Sequence, residues 1–303
     1  MRQEGIAIQY CMPLPEYFLA STRYQDLRTI RVSDDRFQRS RWDEFLYGSA
    51  LARAVGLWPW SDVFMSSETP ELILATLSAG PVGVGDPLDR IDASNLRRAM
   101  RADSVLLKPD VSLEPIDASF VADAEGTSTP MIAATRSADE VEVFAYPRAQ
   151  AQGQAIVSLR QLAIQGPAYE WDWVRRTGRL IPAGGSFAMV FQNGWAYAVV
   201  TPVGRDGIAL LGDQGKIVPL ARERFPAVTN TTNADVTITY APGEDAVTLA
   251  GYAERRPAIR AVRGSADSMA YAEGTHLFHV TAHPTAGPGG GPRTAELVIQ
   301  EGG

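Results

Sequence analysis

Carboxylates recur at the ends of short apolar runs in the first third of the chain: Asp34 and Asp35 close LRTIRVSDD, Asp62 opens DVFMS, and Asp86 closes PVGVGD. Aspartates so placed can exchange protons or hydrogen-bond substrate hydroxyls, provided the runs are parallel strands whose carboxyl ends converge on one cavity. The competing explanation is local, because Asp also favours loops and helix starts, where its short side chain bonds nearby backbone N–H groups. Arg31 could help position the carboxylates or a substrate. Trp58 and Trp60 flank the third run, where an aromatic face suits either a sugar ring or plain packing. Cys11 is the only cysteine, and without a histidine in this region to activate its thiol it reads as structural. His276, His279 and His283 fall in HLFHVTAH. That spacing could chelate a metal but fits better a strand with one wet face, so neither metal nor cofactor is expected.

The elements that would position these residues alternate between strand-like and helix-like patterns over about the first 115 residues, as βα units around a parallel sheet do. Strands are expected at 6–12, 27–35, 62–66 and 81–86. Ser40, with Asp43 three residues on, can cap a helix that buries Trp42, Phe45, Leu46 and Ala50 and stops at Gly56. Thr69-Pro70-Glu71 opens another, with Ile73, Leu74 and Leu77 facing inward until Gly80, and a short helix is expected from Asp92 to Met100. Four βα units are half of an eight-stranded (β/α)8 barrel.

Past Lys108-Pro109-Asp110 the pattern turns to alternating runs between Gly-rich turns, so residues 118–303 are expected to form an antiparallel β-sandwich. Asn193-Gly194, Asp206-Gly207 and Asp213 to Gly215 read as hairpin turns. A Gly/Pro-rich connector near 287–292 precedes TAELVIQ, which either returns as a last strand or frays as a tail.

The order of motifs resembles that of raffinose synthases and alkaline α-galactosidases, the plant-type branch of glycoside hydrolase family 36. Cys11-Met12, Arg31 to Asp35, Ser61-Asp62-Val63-Phe64 and Ala79-Gly80-Pro81 to Gly85-Asp86 follow the family's sequence of segments over about the first 120 residues, and LLKPD comes after them. The resemblance implies that residues 1–117 are the carboxy-terminal half (β5–β8) of a TIM barrel. It also implies a retaining α-glycosidase, in which one carboxylate attacks the anomeric carbon and another, about 5 Å away, protonates the leaving oxygen. It points to Asp34 as acid/base, with Asp35 as the alternative, and to Arg31, Asp62, Trp58, Trp60, Asp86 and Cys11 as substrate-binding candidates. An α-galactoside or other oligosaccharide is the implied substrate, and hydrolysis and glycosyl transfer to an acceptor would use the same residues. The family's nucleophile lies in a Lys-x-Asp segment before the Cys-Met strand, and no such segment occurs in the ten residues that precede Cys11. The expectation is therefore a chain whose partner is the missing amino-terminal half-barrel or a second copy of itself, inactive alone. A non-catalytic carbohydrate-binding or structural module is the alternative.

Composition narrows the classes further. At 303 residues with 45% hydrophobic and 21% charged residues the chain has an ordinary globular make-up. A net charge of −7 argues against a nucleic acid partner, since phosphate neutralisation needs clustered Lys and Arg. No run approaches the ~20 apolar residues of a membrane span. The amino terminus lacks the basic and apolar regions of a signal peptide, which weakly favours the cytoplasm.

Overall fold

The computed structural model describes residues 6–230, 233–286 and 291–302. Its first part holds β1 (Ile8–Tyr10), α1 (Pro15–Ala20), β2 (Leu27–Arg31), α2 (Trp42–Ala54), β3 (Trp58–Trp60), α3 (Thr69–Leu77) and α4 (Ala93–Leu96). The three strands pair in parallel in the order β1-β2-β3, and a parallel bridge between Phe64 and Val84 carries the sheet one step further. Among the described residues the sheet stays open and no barrel closes.

Several expected elements shift. The third strand lies at Trp58–Trp60 rather than 62–66, and the expected fourth strand at 81–86 contracts to the bridge at Val84. The cause is side-chain competition for the backbone. After Val32 N–H bonds Trp60 O, the Ser33 hydroxyl accepts the Asp62 N–H at 2.8 Å and the Asp62 carboxylate accepts the Arg36 N–H at 2.7 Å. Side chains thereby take over donors that a ladder would have used. Ser40 does not cap α2, because a 3-10 turn at Arg39–Arg41 leads into the helix and the Asp43 carboxylate is bound by the Tyr146 hydroxyl at 2.5 Å. Helix α1 was not foreseen. By contrast, Asp92 caps α4 through the Asn95 N–H at 3.0 Å.

The helices pack on the sheet at close range. A Cβ added to Gly48 would lie 2.7 Å from Val32 Cβ, so glycine lets α2 sit directly on the strand. Helix α3 is buried on all sides from Glu71 to Leu77, and Ala79 takes a left-handed conformation (φ 61°) as the chain leaves it. A Cβ on Gly80 would meet Pro59 O at 1.8 Å, a distance no side chain tolerates.

The rest of the chain is β-rich. It continues with β4 (Glu114–Pro115), α5 (Asp117–Ala124), β5 (Met131–Ser137), β6 (Glu140–Tyr146), β7 (Gln154–Ser158), β8 (Ala168–Asp172), β9 (Thr177–Ile181), β10 (Ser186–Val190) and β11 (Ala196–Pro202). These form a six-stranded sheet, β4-β5-β6-β11-β8-β9, and a β10-β7 pair. Val141, Val143, Val157, Phe187 and Met189 are buried between the two layers. Alternate residues of the same strands, including Phe144, Tyr146, Trp171 and Tyr197, face the other way and join the core of the α/β part.

The last part comprises β12 (Ile208–Gly212), β13 (Ala227–Asn230), β14 (Ala234–Thr239), β15 (Val247–Ala253), β16 (Ala258–Arg263), β17 (Ser265–Ala266), β18 (Ala270–Ala272), β19 (Leu277–His283) and β20 (Thr294–Gln300). Two sheets, β12-β15-β19-β17 with β18 on β19 and β13-β14-β20-β16, enclose a third core of Leu249, Phe278, Val280, Leu297 and their neighbours. TAELVIQ is thus an interior strand. Asn193-Gly194 does form a tight turn, yet β10 and β11 on either side belong to different sheets, and Asp206-Gly207 likewise joins β11 to β12 across sheets. Each of those strands finds its partner elsewhere in the chain. Most of the connector at 287–292 lies outside the described residues. No described helix is long and apolar enough to cross a membrane.

The Gly80 contact yields a direct test. Gly80→Ala should destabilise the protein by about 3 kcal/mol in urea unfolding, because backbone must move to relieve the clash. Gly83→Ala, whose nearest neighbour would be Val63 Cγ1 at 3.7 Å, should change stability by no more than about 0.5 kcal/mol.

Candidate active site

The carboxyl ends of β2 and β3 carry an ion-pair network built around one buried arginine. Arg31 is 5% exposed, and its guanidinium reaches Asp35 at 2.9 Å and Asp62 at 3.2 Å. Asp62 holds the loop as well as the arginine, since its second oxygen accepts the Arg36 N–H. Ser33 supports it from below through the Asp62 N–H. Arg36, itself at φ 59°, forms a two-pronged pair with Glu68 at 2.8 and 2.6 Å, and Glu68 also accepts the Met65 N–H. The Arg36 bonds hold the Glu68 carboxyl below its usual range, against burial and the nearby Asp86 charge.

Asp34 sits apart from this chain of contacts. Its carboxylate pairs with Arg41 at 2.8 Å, is about half exposed, and accepts the Asp35 N–H at 3.2 Å. Asp35 is the more open of the two, at 77% side-chain exposure. The strand-end rim therefore presents Asp34 and Asp35 to solvent while Arg31 and Arg41 restrain each from behind. In chemical terms it offers two accessible carboxylates, a buried cation to orient one of them, and a shielded Asp62 as a hydrogen-bond acceptor.

The other sequence candidates distribute unevenly. Trp60 lies in register with Arg31 and Trp58 with Thr29, so both indoles share the sheet face that carries Arg31. Trp58 is 43% exposed, and the Trp60 indole N–H is buried without a hydrogen-bond partner. Asp86 accepts the Ser66 N–H at 2.6 Å and lies close enough to Arg36 to favour its charge, which places it at the edge of the same network. Cys11 is exposed and free at the end of β1. The histidines lie elsewhere: His276 contacts Tyr271 and Glu254, His279 contacts Gln214, and His283 contacts Asp267. No group of three or more His, Cys, Asp or Glu side chains able to hold a metal occurs among the described residues.

Sequence reasoning missed Ser33, Arg36, Arg41 and Glu68. Glu68 had a visible signal, an acidic residue immediately before Thr69-Pro70 and hence on the same rim as Asp62. The site is an open rim rather than a closed cavity. A cleft of about 610 Å³ does occur, but it is lined by Leu96, Met100, Arg101, Lys216 and Glu244 and shares none of the network residues.

No family profile matches the chain, and no curated protein matches it in sequence. Among solved structures it is similar to a β-L-arabinopyranosidase of glycoside hydrolase family 27 from Geobacillus stearothermophilus, both as the wild type and as a substituted form in complex with arabinose. Each match has 14% identity and a TM-score of 0.46, and covers 65% of this chain and 50% of the other. The chain thus spans about half the length of those structures.

Because the Glu68 carboxyl is stabilised in its charged form in the fold, its contribution to stability is complete above the unfolded-state value near 4.5 and is lost as the pH falls through the lower folded value. Glu68→Gln should remove about 1 kcal/mol at pH 7 and flatten the acid limb of stability below pH 4.5, read by urea unfolding across pH 3 to 7.

Proposed function

We propose that this chain carries the acid/base side of a retaining glycosidase site, built on part of a (β/α)8 barrel and acting on an α-galactoside or a similar oligosaccharide. The observation that carries this reading is the Arg31 bridge between Asp35 and Asp62 at the carboxyl ends of adjacent parallel strands, with Asp34 beside it and Trp58 half-exposed on the same sheet. Strand-end carboxylates on a shared rim are the arrangement that barrel glycosidases require, and these residues also carry the family 36 resemblance. The β-rich remainder would be the accompanying sandwich region.

Within this reading Asp34 is the acid/base, positioned by Arg41, and Asp35 is the alternative, positioned by Arg31. Asp62 accepts hydrogen bonds from sugar hydroxyls, Asp86 and Cys11 border the pocket, and Trp58 and Trp60 offer faces to the ring. The nucleophile would be furnished by further βα units paired to the free edge of β1. Ile6, Met12 and Leu14, on the segments that flank β1, are exposed apolar side chains that a further strand would cover. Hydrolysis and transfer differ in whether water or a sugar hydroxyl enters from the open side.

The test is kinetic, in protein that includes the completing strands. Asp34→Asn should abolish turnover of raffinose-type substrates, whose leaving groups need protonation, while aryl α-galactosides with good leaving groups retain activity within roughly 100-fold. The same split for Asp35→Asn instead would move the acid/base role to that residue. Equal loss on both substrates would overturn the assignment. Galactose binding without hydrolysis in the intact protein would support the non-catalytic module.

A further inference from the structure

On the face of the six-stranded sheet that packs against the α/β part, one end is aromatic and the other is unexpectedly polar. Glu140 and Glu142, two residues apart on β6, point to the same side as Phe144 and Tyr146 and are fully buried. Ser137 on β5 is in register with Glu140. Thr201 on β11 lies one step beyond the Val200–Val141 pair and so falls in the same row. Ser137 and Thr201 are 0% and 2% exposed. Both oxygens of Glu140, both of Glu142 and the two hydroxyl oxygens lack any hydrogen-bond partner.

Six unpartnered oxygens in one buried patch need compensation. Taking a single carboxylate out of water without a partner costs several kcal/mol, and two side by side cost more. Among the described residues no cation pairs with either carboxylate, although the Arg136 charge lies near enough to Glu142 to favour its ionised form. Arg136 donates to Leu162 O, Arg222 is held by Asp110, and the Tyr197 hydroxyl is spent on Ile217 O. A neutral pair of carboxylic acids would meet the need by hydrogen-bonding to each other or to the flanking hydroxyls, yet no hydrogen bond joins any two of these six oxygens. Unbonded oxygens on one row and its neighbour are the kind of group a cation between them would satisfy. Burial, and for Glu140 the charge of Glu142 beside it, push both carboxyls up, that of Glu142 to about 8, against the smaller opposing effects of the Ser137 hydroxyl near Glu142 and the Leu220 backbone N–H near Glu140. A bound cation would offset that cost and hold both ionised.

We infer that Glu140, Glu142, Ser137 and Thr201 form an internal all-oxygen site for a divalent cation, with Ca2+ as the best fit. Ca2+ accepts six to eight oxygen ligands in flexible geometry, whereas Mg2+ keeps several waters that a site closed to solvent does not admit. Two carboxylates neutralise the ion, and the hydroxyls complete a set of six. Because every ligand is buried, the ion would enter as the chain folds and would tie β5, β6 and β11 together beneath the segment around Leu220.

The experiment uses the whole chain, unfolded in guanidinium with EDTA and refolded with CaCl2, with MgCl2 or with EDTA, followed by metal analysis and thermal unfolding. The expected result is one Ca2+ retained per chain after desalting and a Tm higher by roughly 5 °C or more than in EDTA, with MgCl2 giving a smaller rise. Glu140→Gln/Glu142→Gln should retain no Ca2+ and show no calcium-dependent Tm. Wild-type protein that holds no divalent ion and melts identically in all three buffers would overturn the site, and a double variant as stable as or more stable than that protein would assign the pair to a neutral, proton-bearing state. The wild-type measurements decide the matter even if the double variant fails to fold.

Discussion

Trp42 is where the architecture is joined. Its indole is 1% exposed and packs edge-on against Phe144 and Tyr146 of β6, at centroid separations of 5.4 and 5.0 Å. Its N–H reaches the Glu71 carboxylate of α3 at 3.2 Å. Arg39 lies over the same ring at 4.6 Å and reaches across to Gly194 O in the turn before β11. One side chain at the start of α2 thereby fixes α2, α3 and the six-stranded sheet relative to one another. Aromatic pairs of this kind add to the area they bury, and a tryptophan buried with its N–H bonded loses little by desolvation. Burial also pushes the Glu71 carboxyl above its usual range, so the acceptor is kept at some electrostatic cost.

The rim depends on that joint. Arg31, Asp62 and Ser33 sit at the ends of strands that α2 and α3 cover, and the close approaches at Gly48 and Gly80 set how near the helices come. From the other side Leu113 N–H bonds Leu77 O, while the Ser49 hydroxyl bonds Leu113 O at 2.5 Å, so the segment that leads into the β-rich part is tied to α3 by a backbone bond and to α2 by a side chain. A second clasp lies farther along. The Lys216 ammonium donates to Arg97 O and Met100 O, Ile217 N–H donates to Arg98 O, and the Tyr197 hydroxyl and Trp173 indole N–H close on the same segment from the sheet. The core that results is continuous from α2 to Tyr252. The α/β part is therefore a supported layer on the β-rich part, which explains how a parallel sheet with a free edge keeps its strand ends in order.

Two kinds of polar arrangement coexist in this frame, and they obey different constraints. On the rim, carboxylates and guanidiniums alternate near water, where each pair contributes modestly and its value lies in direction rather than energy. Inside, Glu140 and Glu142 have no such partners, and their oxygens make demands that solvent does not meet. On the six-stranded sheet, β6 carries Phe144 and Tyr146 against Trp42 at one end and Glu140 and Glu142 at the other, all on one face.

The alternation of elements over the first 115 or so residues, the change of texture after Asp110, the α3 and α4 helices and the strand-end position of Asp34 and Asp35 were legible in the sequence, because each rests on local periodicity, capping or turn chemistry; Asp62, expected to open a strand, instead follows one. Tertiary structure decided what local signals do not encode. Ser33 and Asp62 captured backbone donors and cut the ladder at Trp60, which is why the third strand moved. Strands β10 and β11 separated into different sheets although a tight Asn193-Gly194 turn joins them, because each finds a better-matched partner far along the chain. The Arg31 bridge and the Arg36–Glu68 pair came from segments up to 32 residues apart, and the row Ser137, Glu140, Thr201 came from three strands of one sheet. Residue types and spacing determined which groups were available for chemistry; pairing register and packing determined which of them meet, since distance between side chains is a property of strand partners and not of sequence neighbours.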